Sequence, residues 1–284
     1  MKKELRHVII FFVGTFLWTW GFFFSIVALK LNPFQGRGLI LFLGGGAASS
    51  WMGIIMAMST YDKSRKRDFW RRFYDFRKIS PYWFLVTVLI FPLIMLISLN
   101  IDVSLGGTPS EMNLLMTLIA NPLLLIPSLF LSFLSGPLTE EFGWRGFALD
   151  PLLKRFGFAK ASVLLGFLWG IWHLPWYFMP QTWHGQMGFK LEGFWCYILG
   201  VIGISIITSL VYIKSNRSIM AAMLVHLFSN YSTQLFSGFL GTGYSDRTEM
   251  ARCLLLFSLG IGICIYVRLF SGVKQQIEVL SPIK

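Results

Sequence analysis

The sequence has little charge: only 13% of its 284 residues are Asp, Glu, Lys or Arg, whereas 55% are hydrophobic. A soluble domain of this size needs far more ionisable surface, so this class of protein is excluded. The three cysteines, Cys196, Cys253 and Cys264, lie singly in apolar runs without a CxxC pair. They indicate no disulfide framework, and we predict that they are small buried side chains.

Several motifs of well-known enzyme classes are missing as well. The chain has no Walker A loop and no GxGxxG after a strand, so a nucleotide-driven pump is not indicated. It has no GxSxG, and no cysteine near a histidine, so neither a serine nor a cysteine triad is predicted. The HExxH spacing that pre-forms a helical zinc site is also absent.

Long apolar runs take up most of the sequence. Many are about 20 residues long, the length that crosses a hydrocarbon core about 30 Å thick. The sequence therefore predicts an all-α, polytopic integral membrane bundle in a single domain, residues 1–284. The basic start and first apolar run predict a retained span rather than a cleaved signal. About eight spans are predicted, at roughly 8–29, 38–60, 82–100, 122–149, 161–180, 193–213, 218–240 and 252–270.

Two details refine this topology. Asp150-Pro151 is predicted to end the fourth span, and Ser110 to cap a short interfacial helix over residues 110–120. Loop charges then orient the chain. With the N-terminus inside, the inside segments contain 19 Lys and Arg and the outside segments contain 5. The bias predicts a multi-pass protein of the cell membrane with both termini in the cytoplasm.

The net charge of +12 comes largely from a few short loops. The run KSRKRDFWRRFYDFRK, residues 63–78, mixes basic and aromatic residues, a composition that can also bind nucleic acid. Because this run joins two spans, we predict an interfacial helix that contacts anionic lipid head groups, and no nucleic-acid partner.

Ionisable residues inside predicted spans are few and therefore informative. A charge at the bilayer centre costs about 2.5–3.5 kcal/mol on insertion scales, so such groups usually face the bundle interior and pair. Glu141 and Arg145 are spaced i, i+4 and can form an ion pair. Glu140 is rotated about 100° from Glu141 around the helix and can point elsewhere. One carboxylate can thus be neutralised while the other stays free, although both could instead serve helix packing.

Two further spans contribute polar groups at a similar depth. Counted from the cytoplasmic ends at about 1.5 Å per residue, Glu140 and His173 lie about 15 and 18 Å in, and His226 and Asn230 about 12 and 18 Å. His226 and Asn230 share a helix face. Trp169 shares a face with His173 and is predicted to pack over it. His7 and His184 fall at predicted interfaces, and we predict no chemistry for either of them.

These groups could act together in hydrolysis. A buried glutamate suits a general base, one histidine can position a water, and a second histidine with an asparagine amide can stabilise an oxyanion. The same residues leave two alternatives open. Glu140, His173 and His226 could ligate a divalent metal such as zinc. Buried Glu and His also occur in proton-coupled transporters, but those would show inverted repeats, and the sequence shows none.

Three short motifs occur in order along the chain. EEFGWR matches EExxxR, WGIWH matches [FW]xxxH, and HLFSN matches HxxxN. Their order and their placement on three spans resemble the CAAX-protease and bacteriocin-processing family of intramembrane glutamic endopeptidases, which includes type II CAAX prenyl endopeptidases. The resemblance covers roughly residues 114–240.

The resemblance implies a role for each matched residue. Glu140 would activate water, His173 would position it, and His226 and Asn230 would form the oxyanion site. Glu141 and Arg145 would shape the pocket, with Trp169 as a further support. No cofactor is implied, although the family has also been described as metal-dependent. The implied substrate is a peptide or protein with a prenylated C-terminus or a leader-type segment. The competing hypothesis is a non-proteolytic membrane scaffold or bacteriocin-immunity protein.

Overall fold

The structure is a computed structural model that describes residues 2–108, 112–237 and 245–269. These ranges contain helices and turns and no strand, so the predicted all-α class is confirmed. The predicted cap Ser110 lies outside the described residues. The α-helices are α1 Lys2–Ala28, α2 Gly36–Gly46, α3 Ala48–Thr60, α4 Lys63–Tyr74, α5 Pro81–Ser104, α6 Asn113–Ala120, α7 Leu125–Leu134, α8 Pro137–Gly143, α9 Leu149–Trp172, α10 Trp183–Met187, α11 Cys196–Lys214, α12 Ile219–Ser237 and α13 Asp246–Leu269.

The number of helices able to cross a membrane is lower than predicted. Within the described ranges five helical segments are long and apolar enough, or six if the bent pair α2–α3 counts as one span. A polytopic bundle is therefore confirmed, but eight spans are not. The difference has two sources. The predicted fourth and fifth spans fall in one 57-residue helical stretch, Pro122–Phe178, and α12 is not among the candidates.

That long stretch changes direction at a different residue from the one predicted. Asp150-Pro151 does not end a helix, because α9 runs from Leu149 to Trp172 and includes both residues. Proline is tolerated there because the first turn of a helix has no intrahelical partner for its backbone nitrogen. The break is at Gly157, whose backbone has φ 72° and ψ 176°, a conformation that residues with a side chain rarely adopt.

Helix α11 lies at the centre of the bundle and is almost entirely buried, packed between α9 and α13. Small residues allow this close approach. A Cβ on Gly203 would lie 2.4 Å from the Leu256 carbonyl oxygen, and a Cβ on Gly166 would lie 2.7 Å from the Ile202 Cα. Ser205 Oγ also donates to the Ser162 carbonyl at 2.9 Å. Small residues of this kind are typical of helix contacts in membranes, where packing replaces the hydrophobic effect.

Most of the basic run forms α4, a largely exposed helix that is attached to the bundle by two buried side chains, Phe69 and Arg72. Asp62 caps it by accepting from the Arg65 backbone N–H at 2.8 Å. Arg72 is buried and donates to the Tyr212 hydroxyl at 2.6 Å, and this hydroxyl donates to Asp150 at 2.8 Å. The opposite face of α4 is exposed and carries basic and aromatic side chains: Lys63, Arg67, Trp70, Arg71 and Tyr74.

Candidate active site

The glutamate pair lies on α8, a short helix that a neighbouring helix contacts closely. Gly53 of α3 crosses α8 so tightly that a Cβ there would lie 2.5 Å from the Gly143 Cα. Ser49 Oγ donates to the Glu140 carbonyl at 2.9 Å, and Ser50 Oγ to the Leu138 carbonyl at 2.8 Å. These contacts fix the backbone of α8, so the direction of both glutamate side chains is set by a rigid support.

Glu141 forms the ion pair predicted from its spacing. Arg145 Nη1 donates to both of its carboxylate oxygens, at 2.8 and 3.1 Å, and both side chains are fully buried. His226 on α12 makes a third contact, since its Nδ1 lies 2.9 Å from Glu141 Oε1. An ionised carboxylate only accepts, so Nδ1 of His226 carries the proton. Glu141 therefore connects α8 to α12 and is neutralised in place.

Glu140 points in a different direction and has no cationic partner within the described ranges. Its Oε2 accepts from two indole N–H groups, Trp169 Nε1 at 2.6 Å and Trp144 Nε1 at 3.2 Å. Neither bond involves Oε1. The side chain is 6% exposed. Trp144 begins a π-helical turn, residues Trp144–Ala148, which directly follows α8. Such turns often occur at functional sites.

Trp169 has more partners than its sequence spacing predicted. Its ring lies 6.4 Å from that of His173, which was its expected neighbour, but only 5.0 Å from the His226 ring. The Arg145 guanidinium lies over the Trp169 ring, 4.6 Å from the ring centroid. With its bond to Glu140, Trp169 therefore contacts a member of each of the three motifs.

His173 lies at the end of α9, buried among aromatic rings. Its Nδ1 is 2.9 Å from the Trp169 carbonyl oxygen, which can only accept, so Nδ1 carries the proton and Nε2 is an acceptor in the neutral ring. Trp172 packs edge-on at 4.7 Å, and a bond from Trp20 Nε1 to the Trp172 carbonyl, 3.2 Å long, supports this turn from α1.

His226 and Asn230 converge on one small space, and a glycine that the sequence reasoning missed keeps it open. A Cβ on Gly136 would lie 3.1 Å from both His226 Nε2 and Asn230 Nδ2. Gly136 directly precedes α8, so the space adjoins the glutamate helix. No pattern in the sequence distinguishes this glycine from the other 26. The role of Trp144 was missed too, although it follows Glu140 by four residues, the spacing of neighbours on one helix face.

His184 lies between two candidate membrane spans, at the kind of position that the sequence had suggested, but it is not solvent-exposed. It is 7% exposed, and its ring stacks on that of His173, with centroids 5.6 Å apart and planes 14° from parallel. The sequence offers only a weak signal for this position, the neighbouring aromatics of the 174–184 segment. The other excluded histidine, His7, is half-buried on α1.

The proposed metal ligands Glu140, His173 and His226 do not form a ligand set. In the part of the chain that the structure describes, no three His, Cys, Asp or Glu side chains lie close enough to bind an ion. The residues therefore do not fit a zinc ion. None of the three cysteines is in a disulfide; Cys196 and Cys253 are buried and Cys264 is partly exposed.

The site residues lie in a region that is similar to known proteins. Residues 122–232 match the family model "Type II CAAX prenyl endopeptidase Rce1-like". The chain is also 25% identical over 261 residues to CAAX prenyl protease 2 of Methanococcus maripaludis, covering 90% of this chain and 93% of that protein. Both matches are named as proteases, and the apolar helices of the described ranges suit a multi-pass membrane protein. The resemblance drawn from the three motifs is confirmed: residues 122–232, which contain all three motifs, match the Rce1-like type II CAAX prenyl endopeptidase model.

Proposed function

We propose that this chain is an intramembrane endopeptidase that hydrolyses a peptide bond with a water activated by Glu140. One observation supports this most directly. Of two adjacent buried glutamates, Glu141 is neutralised by Arg145, whereas Glu140 accepts only neutral indole N–H bonds, all on one oxygen. A carboxylate without a cationic partner is the one available to accept a proton.

The first step is the attack of water. His173 positions the water, because its unprotonated Nε2 can accept one water O–H while Nδ1 stays bonded to the Trp169 carbonyl. The water oxygen bonds to the scissile carbonyl carbon, the C=O π electrons move to oxygen, and Glu140 takes the released proton. The two indole donors hold Glu140 in one rotamer, so its free oxygen, Oε1, is already oriented before the reaction begins.

The second role is stabilisation of the oxyanion. His226 Nε2 and Asn230 Nδ2 both face the space beside Gly136, and an amide N–H₂ is a donor there. For Nε2 to donate as well, the His226 ring must carry a proton on each nitrogen. The Glu141 carboxylate at Nδ1 stabilises that imidazolium. The collapse of the intermediate then returns the proton from Glu140 to the leaving nitrogen as the C–N bond breaks.

Substrate and orientation are part of the same proposal. The substrate is a peptide or protein with a prenylated C-terminus or a leader-type segment. The protein lies in the cell membrane with both termini in the cytoplasm. The exposed basic face of α4 contacts anionic lipid head groups. The spacing of Lys63, Arg67 and Arg71 along one helix face supports this last contact.

The test compares two matched variants, Glu140→Gln and Glu141→Gln. A glutamine at 140 still accepts from both indoles but cannot act as a base. A glutamine at 141 still accepts from His226. Purified protein in lipid is assayed on farnesylated CAAX-type and leader-type peptides. We expect Glu140→Gln to lose cleavage by at least ~100-fold and Glu141→Gln to remain measurably active. Cleavage that survives in Glu140→Gln refutes the base assignment.

Two further arms address the alternatives. Treatment with a chelator distinguishes a metal-dependent protease from one in which Glu140 activates water directly. A metal-dependent protease would lose activity and regain it with one particular metal. We expect no loss. A non-proteolytic scaffold or immunity protein would keep its cellular phenotype in Glu140→Gln, whereas an enzyme would lose it.

A further inference from the structure

Next to His173 the structure contains a group of buried polar atoms with no hydrogen-bond partner among the described protein atoms. They are Trp176 Nε1, the Tyr177 hydroxyl and both ring nitrogens of His184. Buried polar groups are nearly always paired, and each unpaired one costs free energy. Four such atoms on three neighbouring residues therefore indicate a partner from outside the chain.

The three side chains form one contiguous cluster that touches the proposed water-positioning residue. The His184 ring lies 5.0 Å from the Trp176 ring, 5.2 Å from the Tyr177 ring and 5.6 Å from the His173 ring. Trp176 also packs edge-on against His173 at 5.2 Å. We call these residues, Trp176, Tyr177 and His184, the aromatic subsite.

The backbone around the subsite is irregular, which suits a place where a ligand enters. Trp176 and Tyr177 lie in a 3₁₀ turn, Leu174–Phe178, and His184 in the five-residue helix α10. A turn of Thr182, whose hydroxyl accepts from the Gly185 N–H at 3.0 Å, joins the two. Short elements of this kind open locally at lower free-energy cost than a long packed helix.

The available hydrogen bonds identify the kind of ligand group. The Trp176 indole only donates, the Tyr177 hydroxyl donates or accepts, and a neutral imidazole offers one donor and one acceptor. Burial, and to a lesser extent the neighbouring His173, lower the pKa of His184 well below its usual value, so its ring is neutral. None of the three residues is a cation. A peptide amide, with one C=O and one N–H, matches this mixed set of donors and acceptors, whereas a carboxylate could only accept.

We propose that the aromatic subsite binds a backbone amide of the substrate peptide beside the scissile bond. The subsite extends the site proposed above, and the assignment rests on that proposed function. His184 and Tyr177 then determine how the peptide lies across His173, so that the scissile carbonyl faces the positioned water. Trp176 contributes a further donor at the rim of the subsite.

The experiment measures peptide binding rather than turnover, so that it stands apart from the hydrolysis assay. Binding of a fluorescent farnesylated CAAX-type peptide is measured with Glu140→Gln protein in lipid. Tyr177→Phe and His184→Phe are then added singly to this background. Both keep an aromatic ring and remove only polar atoms. Tyr82→Phe is the matched control, because Tyr82 is exposed at the start of α5.

We expect Tyr177→Phe and His184→Phe each to weaken binding about 3- to 10-fold, the usual effect of one lost neutral hydrogen bond. Tyr82→Phe should leave the affinity unchanged. Thermal stability should not fall in Tyr177→Phe, because its hydroxyl makes no bond within the described protein. A peptide with an ester in place of the amide next to the cleavage site should bind the Glu140→Gln protein more weakly than the amide peptide does. Adding His184→Phe should weaken the binding of this ester peptide only slightly further.

The outcomes also separate the subsite from the hydrolysis mechanism. Equal affinity in all variants, or no peptide binding at all, would overturn the subsite. So would a loss confined to peptides with a free C-terminal carboxylate, because the bound group would then be an anion. Weaker binding in both phenylalanine variants, combined with no cleavage by the unmodified protein, would support the subsite and refute the proposed hydrolysis.

Discussion

The buried ion pair between Glu141 and Arg145 can be tested by a double-mutant cycle. Arg145→Met removes the cation and leaves a fully buried carboxylate whose remaining partner is His226. Removing one member of a buried pair typically costs about 3–5 kcal/mol of unfolding free energy. The contact of the guanidinium with the Trp169 ring, 4.6 Å to the centroid, is lost as well and adds about 0.5–2 kcal/mol.

The two other corners of the cycle have different expected values. Glu141→Gln alone leaves Arg145 buried without its charge partner and should cost about 3–5 kcal/mol. The double variant Glu141→Gln, Arg145→Met contains neither charge. It should therefore be more stable than either single variant, because replacing a whole buried pair by neutral groups is often close to neutral.

The assay is the temperature of half-unfolding in one lipid preparation at a fixed heating rate. At about 2–4 °C per kcal/mol, each single variant should melt on the order of 10 °C lower, and the double variant should recover most of that loss. Arg71→Met is the control. Arg71 also pairs at i, i+4, with Asp75 at 3.3 Å, but is largely exposed, so we expect a loss below about 1 kcal/mol. Strict additivity of the two buried changes would refute the reasoning.

Two further predictions concern the geometry of the site. Gly136→Ala should lower kcat with little change in melting temperature, because its Cβ would lie 3.1 Å from both proposed oxyanion donors. Gly21→Ala is the control, because nothing lies within 4 Å of the new Cβ, and equal kcat values in the two variants would contradict the assignment. Trp169→Phe removes the 2.6 Å bond to Glu140 but retains a ring beside His226. The value of kcat should therefore fall roughly 10-fold while KM stays close to its original value. An effect on KM alone would contradict the role of this bond in holding Glu140.

The charged part of the site was predictable because helical spacing determines it. Glu141 and Arg145 lie four residues apart, and one turn of helix brings such residues together whatever surrounds them. The rotation of about 100° between adjacent residues likewise separates Glu140 from that pair. Burial inside an apolar chain then requires each charge to find a partner, so an ion pair could be inferred from sequence alone.

The neutral parts of the site depend on contacts between distant segments, which spacing does not give. Trp169 reaches Glu140 from a position 29 residues further along the chain, and Gly136 matters only because α12 passes beside it. His184 lies in the loop between two predicted spans, and no chemistry was predicted for it. In the structure this loop folds back over His173 as a 3₁₀ turn and a short helix, and the aromatic rings bury it.

Part of the difference between the predicted and the candidate number of spans arises in α12, the helix that also contains two of the proposed site residues. This helix packs against α5, α8 and α11, yet it is absent from the candidates for membrane spans. Its sequence explains why, since it contains His226, Asn230 and a run of hydroxyl and amide residues in its second half. Hydropathy measures the preference of a segment for lipid, and a helix that lines a polar interior does not need that preference. The residues that make α12 a poor lipid-facing helix are therefore the same residues that supply the proposed oxyanion site.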